Sequence, residues 1–196
     1  MNEHADDHVL ASVNAYSNNI AGYQEAYRNH RLELPRRFSA MLPKNSRVLD
    51  LGCGPGRDLD IFAADGHTAT GLDLNADFVE MASCHHNVLH ADMRALAQLF
   101  PVSTFDGIWA QASLVHLSGD DARRVLADCL QLLTSNGIFY TCVPTTGETG
   151  WKTEQDGTRW YTVWPETSFV TEIEEAGFLI TEYTPGSYIE VWARKP

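Results

Sequence analysis

The 196-residue sequence predicts an α/β domain built on a mixed seven-stranded sheet. Three observations predict it. From Arg47 onward, short apolar runs alternate with helical patterns of roughly ten residues, which implies βαβ units and parallel strands. A glycine-rich turn, Gly52-Cys53-Gly54-Pro55-Gly56, joins the first run to the first of those helices. The last two runs, 178–183 and 188–194, are joined only by the turn around Pro185-Gly186. That turn leaves no room for a crossover helix, so the final strand must run antiparallel. The expectation is six parallel strands and an antiparallel seventh, with helices on both faces.

Residues 8–42 read as helical, with apolar positions at Val9, Val13, Ile20, Tyr23, Tyr27, Leu34 and Phe38. Gly22 and Pro35 divide this stretch and Pro43 ends it. The core then runs in order. Residues 47–51 form the first strand, and a helix over 58–65 carries two acids in its first turn with Gly66 at its end. Residues 68–73 form the second strand, 76–84 a helix, 88–91 a short third strand and 105–111 the fourth. Ser118 caps the clearest helix, whose stripe is Val125, Leu126, Cys129, Leu130, Leu132 and Leu133, and Asn136-Gly137 stops it. Residues 138–143 form the fifth strand. Pro165 opens a helix from its first position, and Ala176-Gly177 closes it before the final hairpin. The stretch 144–163 is the longest without a regular pattern, and loops of that length are usually functional.

Composition narrows the partners. The length favours one domain, 1–196, with 1–45 as a helical cap or lid and 46–196 as the core. A formal net charge of −12 argues against a nucleic-acid partner, because that affinity comes from Lys and Arg neutralising phosphates. Cys53, Cys84, Cys129 and Cys142 form no CxxC pair, which suits reduced thiols in the cytoplasm. The acidic N-terminus lacks the apolar stretch of a signal peptide, and no run is long enough to span a membrane. His85, His86 and His90 lie close together, but adjacent rings point apart and no cysteine has ligand spacing, so no metal site is expected. A monomer or weak homodimer is expected.

The glycine turn separates two chemistries. A dinucleotide fingerprint needs Gly-x-Gly-x-x-Gly, and counting from Gly52 its third glycine falls on Arg57. An NAD(P)-dependent oxidoreductase is therefore the weaker alternative. Val48-Leu49-Asp50-Leu51-Gly52-Cys53-Gly54-Pro55-Gly56 instead resembles motif I of the class I S-adenosylmethionine-dependent methyltransferases, whose fold is Rossmann-like. Asp73, Ala91-Asp92-Met93, Phe105-Asp106-Gly107-Ile108-Trp109, the Asn136-Gly137 turn and the closing hairpin follow in the family's order, over residues 46–194. The run Gly56-Arg57-Asp58 with its aliphatic helix and Gly66 also looks like the tellurite-resistance methyltransferases.

The resemblance implies S-adenosylmethionine as cofactor, S-adenosylhomocysteine as product and a small-molecule acceptor at N, O or S. It places the cofactor against Gly52, Cys53, Gly54, Gly56 and Arg57, with Asp73 and Leu74 at the ribose, Asp92 and Met93 at the adenine, and Ala110 and Gln111 beside them. Only glycine lets a backbone approach a ligand this closely, and helix-start amides hold carboxylates. Arg57 either pairs with the cofactor carboxylate or bridges a nearby acid. Asp50 orders the loop amides or acts indirectly on the cofactor amine.

The acceptor side is less marked. His116 is the candidate base, although a lone histidine is more often packed or capping. Tyr16 and Tyr23 resemble the aromatic lid helices of small-molecule methyltransferases; Tyr16 is a candidate catalytic hydroxyl and Tyr23 a candidate substrate contact, with core packing as the competing role. Trp151, Arg159 and Trp160 in the 144–163 stretch are candidate substrate contacts on a second lid. A non-catalytic S-adenosylmethionine-binding module is the remaining alternative.

Overall fold

The computed structural model describes residues 7–154 and 157–196. The first six residues of the acidic N-terminal stretch lie outside them. Helices α1 (His8–Ala15), α2 (Ile20–Tyr27) and α3 (Glu33–Met41) precede β1 (Arg47–Leu51), α4 (Arg57–Ala64), β2 (Thr68–Asp73), α5 (Ala76–Ser83) and β3 (Asn87–His90). A short α6 (Leu96–Leu99) leads to β4 (Phe105–Gln111), α7 (Gly119–Leu132) and β5 (Leu133–Pro144). A separate hairpin, β6 (Gly150–Glu154) and β7 (Gly157–Tyr161), precedes α8 (Glu166–Glu175), β8 (Leu179–Thr184) and β9 (Tyr188–Arg194).

Among the described residues the main sheet has seven strands in the order β3-β2-β1-β4-β5-β9-β8. β1 pairs in parallel with both β2 and β4, so the chain first builds outward to β3 and then reverses to β4. That reversal opens a crevice beyond the carboxyl ends of β1 and β4, where ligands bind open α/β sheets. β9 runs antiparallel between β5 and β8, with Cys142 opposite Glu190 and Pro144 opposite Tyr188. The antiparallel strand therefore starts where its parallel neighbours end, and Tyr188 and Glu190 arrive at the crevice.

Side chains alternate across the pleat and divide the core in two. Leu49, Leu51, Ile108, Ala110 and Phe139 face α7 and α8, where Val125, Leu126, Cys129, Phe169 and Ile173 are buried. Val48, Trp109, Tyr140 and Trp192 face the opposite way, against Leu34, Phe38 and Leu42 from the N-terminal helices and Phe62 of α4. Trp109 stacks on Tyr140 with centroids 4.1 Å apart, and the Trp109 indole N–H donates to Asp58 at 2.9 Å.

Several local expectations shift. Gly22 lies inside α2, one turn from its Asn19 cap, and Pro35 occupies the first turn of α3, where a missing N–H costs nothing. The breaks fall instead at a 3₁₀ turn, Tyr16–Asn19, and at residues 28–32. α7 starts after Ser118 as capped, but ends at Leu132 because Leu133 extends to pair with Phe105. Pro165 caps α8 rather than opening it. The 144–163 stretch is not irregular: it holds the β6–β7 hairpin, with Trp151 opposite Trp160. No helix among the described residues is long and apolar enough to cross a membrane.

Candidate functional site

The glycine turn folds back onto the end of β2. The Gly52 amide donates to the Leu72 carbonyl at 2.7 Å, and the Gly54 amide donates to Asp73 Oδ2 at 2.8 Å. Gly52 has φ +72°, and a β-carbon there would sit 2.6 Å from Cβ of Ser113, so backbone conformation and space both require glycine. Gly56, with φ +96°, starts α4. Its missing side chain faces Ala82 and His86 of the α5 region, so it serves helix packing and does not line the crevice.

A cavity of about 880 Å³ fills the crevice. Following the strand order, its wall passes from Asp92 and Met93 after β3, to Asp73 and Leu74 after β2, to Gly52, Cys53 and Gly54. It continues to Gln111 after β4, Cys142 on β5, and Tyr188 and Glu190 on β9. Tyr16, Tyr23 and Tyr27 from the N-terminal helices cover it, and the Tyr23 ring rests against Gly54.

A sequence profile described as a methyltransferase domain matches residues 48–137. The ubiquinone biosynthesis O-methyltransferase of Paracidovorax citrulli is 31% identical over 106 residues, covering 50% of this chain and 43% of that protein. The chain thus matches less than half the length of this curated relative. Among solved structures, a Burkholderia thailandensis 1,6-didemethyltoxoflavin-N1-methyltransferase bearing S-adenosylhomocysteine superposes with a TM-score of 0.67 at 24% identity, covering 97% of this chain and 91% of its own. The [4+2]-cyclase SpnF superposes at 0.69 and 20% identity, covering 84% and 79%. The chain therefore has the fold of the S-adenosylmethionine-dependent methyltransferases, and part of it matches a methyltransferase-domain profile.

Within this methyltransferase fold, the acids of the crevice differ in state. Asp73 Oδ1 accepts from the Asn75 amide and Oδ2 from the Gly54 amide, both at 2.8 Å. Burial raises its pKa, opposed by those amide bonds, and each oxygen keeps a lone pair for a ligand. Asp92 caps a 3₁₀ turn and accepts from the Arg94 guanidinium, which also holds Asp7 at 2.6 Å. Asp50 is buried, and its Oδ2 has no hydrogen-bond partner. Burial pushes its carboxyl well above the usual range, with Asp58 adding to the rise and Arg57 opposing it. The loop amide expected on Asp50 is thus held by Asp73.

Arg57 bridges one nearby acid and two carbonyls. Its guanidinium spans both oxygens of Asp58 at 2.7 and 2.9 Å, and it also reaches the Tyr27 and His30 carbonyls and Gln111 Oε1.

His116 lies on a 3₁₀ turn after β4 and borders the cavity. Its Nδ1–H donates to the Trp160 carbonyl at 2.6 Å, which leaves Nε2 to accept from the Tyr16 hydroxyl at 3.0 Å. Burial lowers its pKa to about 4, and burial also raises that of Tyr16.

Four further expected positions stand off the cavity. Ala110 alternates with Trp109 and Gln111, so its methyl enters the α7-side core. Trp151 is 51% exposed on the outside of the hairpin. Trp160 packs its ring on His8 and donates its amide to Ser12 of α1 at 2.7 Å. Arg159 is buried behind Tyr16, its guanidinium carbon 3.9 Å from the ring centroid, and pairs with Glu154. The hairpin therefore buttresses α1 and the His116 turn, and Tyr161 is the aromatic from it that borders the cavity.

Sequence reasoning missed Arg31, Cys142, Tyr188 and Glu190, all on the wall. One signal was present: Glu190 is a lone acid in the apolar run Tyr188-Ile189-Glu190-Val191-Trp192-Ala193, where an unexplained charge marks a partner or a site.

Proposed function

We propose that this chain binds S-adenosylmethionine and transfers its methyl group to the nitrogen, oxygen or sulfur of a small molecule. The observation that carries the reading is the buried Asp73 carboxylate at the end of β2, tied to the Gly54 amide and still open to the cavity. Its two spare lone pairs suit the vicinal hydroxyls of a ribose. Asp92 and Met93 would meet the adenine, and the unpartnered Asp50 oxygen suits the cofactor ammonium.

When bound, the cofactor supplies an already activated methyl group on a sulfonium. The protein's work is then alignment and exclusion of water. Tyr16 and Tyr23 cover the cavity and, with Phe78, form an apolar cluster at centroid distances of 5.2 to 5.9 Å. The unprotonated His116 Nε2 can take the Tyr16 proton while the Tyr16 oxygen takes one from the acceptor. For an oxygen or sulfur acceptor a weak base suffices, because the oxonium or sulfonium formed on methylation is strongly acidic; a methylated amine can leave with its proton.

Charge narrows the acceptor. Among the described residues six acids line the cavity, Asp50, Asp58, Asp60, Asp73, Asp92 and Glu190, against three arginines, Arg28, Arg31 and Arg57, so the acids outnumber the cations even after pairing. This pattern favours a neutral or cationic acceptor. Three buried thiols suit a reducing, cytoplasmic setting.

A thermal-shift panel of S-adenosylmethionine, S-adenosylhomocysteine, NAD and NADP tests the cofactor, and labelled methyl transfer to amine, phenol and thiol panels tests the reaction. At a hundredfold excess over Kd, binding adds about 2.7 kcal/mol, or roughly 5–10 °C. The expected shift comes from the adenosyl ligands alone and is lost in Asp73→Ala. A shift with the nicotinamides alone overturns the reading. Adenosyl binding without transfer to any acceptor favours non-transfer chemistry, of which a cyclase on this fold is an example.

A further inference from the structure

Arg57 carries five N–H donors, and the structure accounts for all five. Nε donates to Asp58 Oδ1 at 2.7 Å. One terminal nitrogen donates to Asp58 Oδ2 at 2.9 Å and to Gln111 Oε1 at 3.2 Å. The other donates to the carbonyls of Tyr27 at 2.8 Å and His30 at 3.0 Å. Tyr27 ends α2, so its carbonyl belongs to the terminal set that finds no partner within a helix, where the helix dipole also favours a cation. Asp58 is itself fixed by the Trp109 indole, and Gln111 ends β4. One guanidinium thus ties the covering helix to the start of α4 and to the strand end where an acceptor would lie.

Neighbouring contacts repeat the arrangement. Arg31, in the turn after α2, reaches Glu190 on β9. At the other end of the helical segment, Asp7 caps α1 and is held by Arg94, which is held in turn by Asp92. The covering segment is therefore fastened at both ends to residues of the crevice.

We propose that Arg57 is a positioning residue, a latch that holds α2 and its following turn closed over the cofactor cavity, and that it does not receive the cofactor carboxylate. The inference rests on the cofactor reading above. A direct carboxylate contact would require Arg57 to give up a bond it already makes. Lysine, with three donors on a flexible stem, cannot span five acceptors on three elements, so Arg57→Lys should restore part of the function.

The test uses the full chain and the variants Arg57→Ala and Arg57→Lys. Hydrogen exchange reads the amides of residues 20–32 and, as an internal control, those of β4 and β5. Calorimetry reads the affinity for S-adenosylhomocysteine and for 5′-methylthioadenosine, which lacks the carboxylate. The latch predicts exchange over 20–32 faster by roughly tenfold or more in Arg57→Ala, with strand exchange unchanged and Arg57→Lys in between. It also predicts that both ligands weaken by the same factor. Loss confined to S-adenosylhomocysteine, with exchange unchanged, overturns the latch and makes Arg57 a carboxylate ligand. Exchange rising equally in the strands overturns it in favour of a general structural role. If the wild type binds neither ligand, the cofactor reading fails, while the exchange comparison still decides the latch. Should Arg57→Ala not fold, Arg57→Lys, which keeps a cation beside Asp58, carries the same comparisons.

Discussion

Protonation of His116 offers a quantitative test of the site. The ring is 5% exposed, donates from Nδ1 to the Trp160 carbonyl and accepts at Nε2 from Tyr16, an arrangement that needs the neutral form. Burial lowers its pKa to about 4; the Trp160 bond opposes that fall and Arg159 adds to it. In the unfolded chain the value returns to about 6.5. The folded value is the lower one, so as pH falls the unfolded state binds a proton first. The stability present above about pH 6.5 is then lost progressively down to about pH 4, where the loss levels off. The gap of about 2.5 units corresponds to about 3 kcal/mol in full and about 1.4 kcal/mol at about pH 5.5. Urea unfolding of the wild type and of His116→Asn across this range provides the assay. Asp50 and Asp73 titrate in both proteins with the opposite sign, because burial raises their folded values, and the difference between the two proteins removes them. The stability advantage of the wild type over the variant should shrink by about 3 kcal/mol between about pH 7 and about pH 4. A difference that stays constant across that range would show that His116 is not buried as a neutral ring, and the proton route through Tyr16 would fall with it.

Two further substitutions probe other parts of the argument. Gly52→Ala forces a β-carbon to within 2.6 Å of Ser113 at φ +72°, so it should cost about 2 kcal/mol or more and abolish S-adenosylhomocysteine binding, as read by melting and calorimetry; full binding would mean the loop has room to move. Ser118→Ala removes the cap that accepts the Asp121 amide at 3.1 Å, and should cost about 1 kcal/mol, lowering Tm by roughly 2–4 °C without changing ligand affinity; an unchanged Tm would show that α7 is held by packing alone.

Much of the scaffold was legible because it rests on local rules. The order of strands and helices, the Ser118 cap and the antiparallel last strand follow from apolar period, turn chemistry and the length of a crossover. The glycine turn and Asp73 were legible for a related reason: a tight strand-to-helix turn and an acid at a strand end sit at positions that the topology carries to the crevice. Cavity-facing positions next to such turns, among them Leu74, Asp92, Met93 and Gln111, are likewise brought together on the wall.

Tertiary structure decided the rest, wherever direction depends on a partner distant in sequence. Whether Trp151 and Trp160 cover a ligand depends on what the β6–β7 hairpin packs against; it packs against α1, which sends Trp160 to His8 and leaves Trp151 in solvent. Ala110 and Gln111 are adjacent in sequence, yet the pleat of β4 puts one in the core and the other on the cavity. Arg57 follows the glycine turn, where sequence alone leaves two partners open. Only the fold brings the Tyr27 and His30 carbonyls, 30 and 27 residues away, within hydrogen-bond reach of it. Local periodicity and backbone propensity act over a few residues, and so they can be read along the chain. The choice among competing hydrogen-bond partners is made by packing, which brings together groups that the chain keeps far apart.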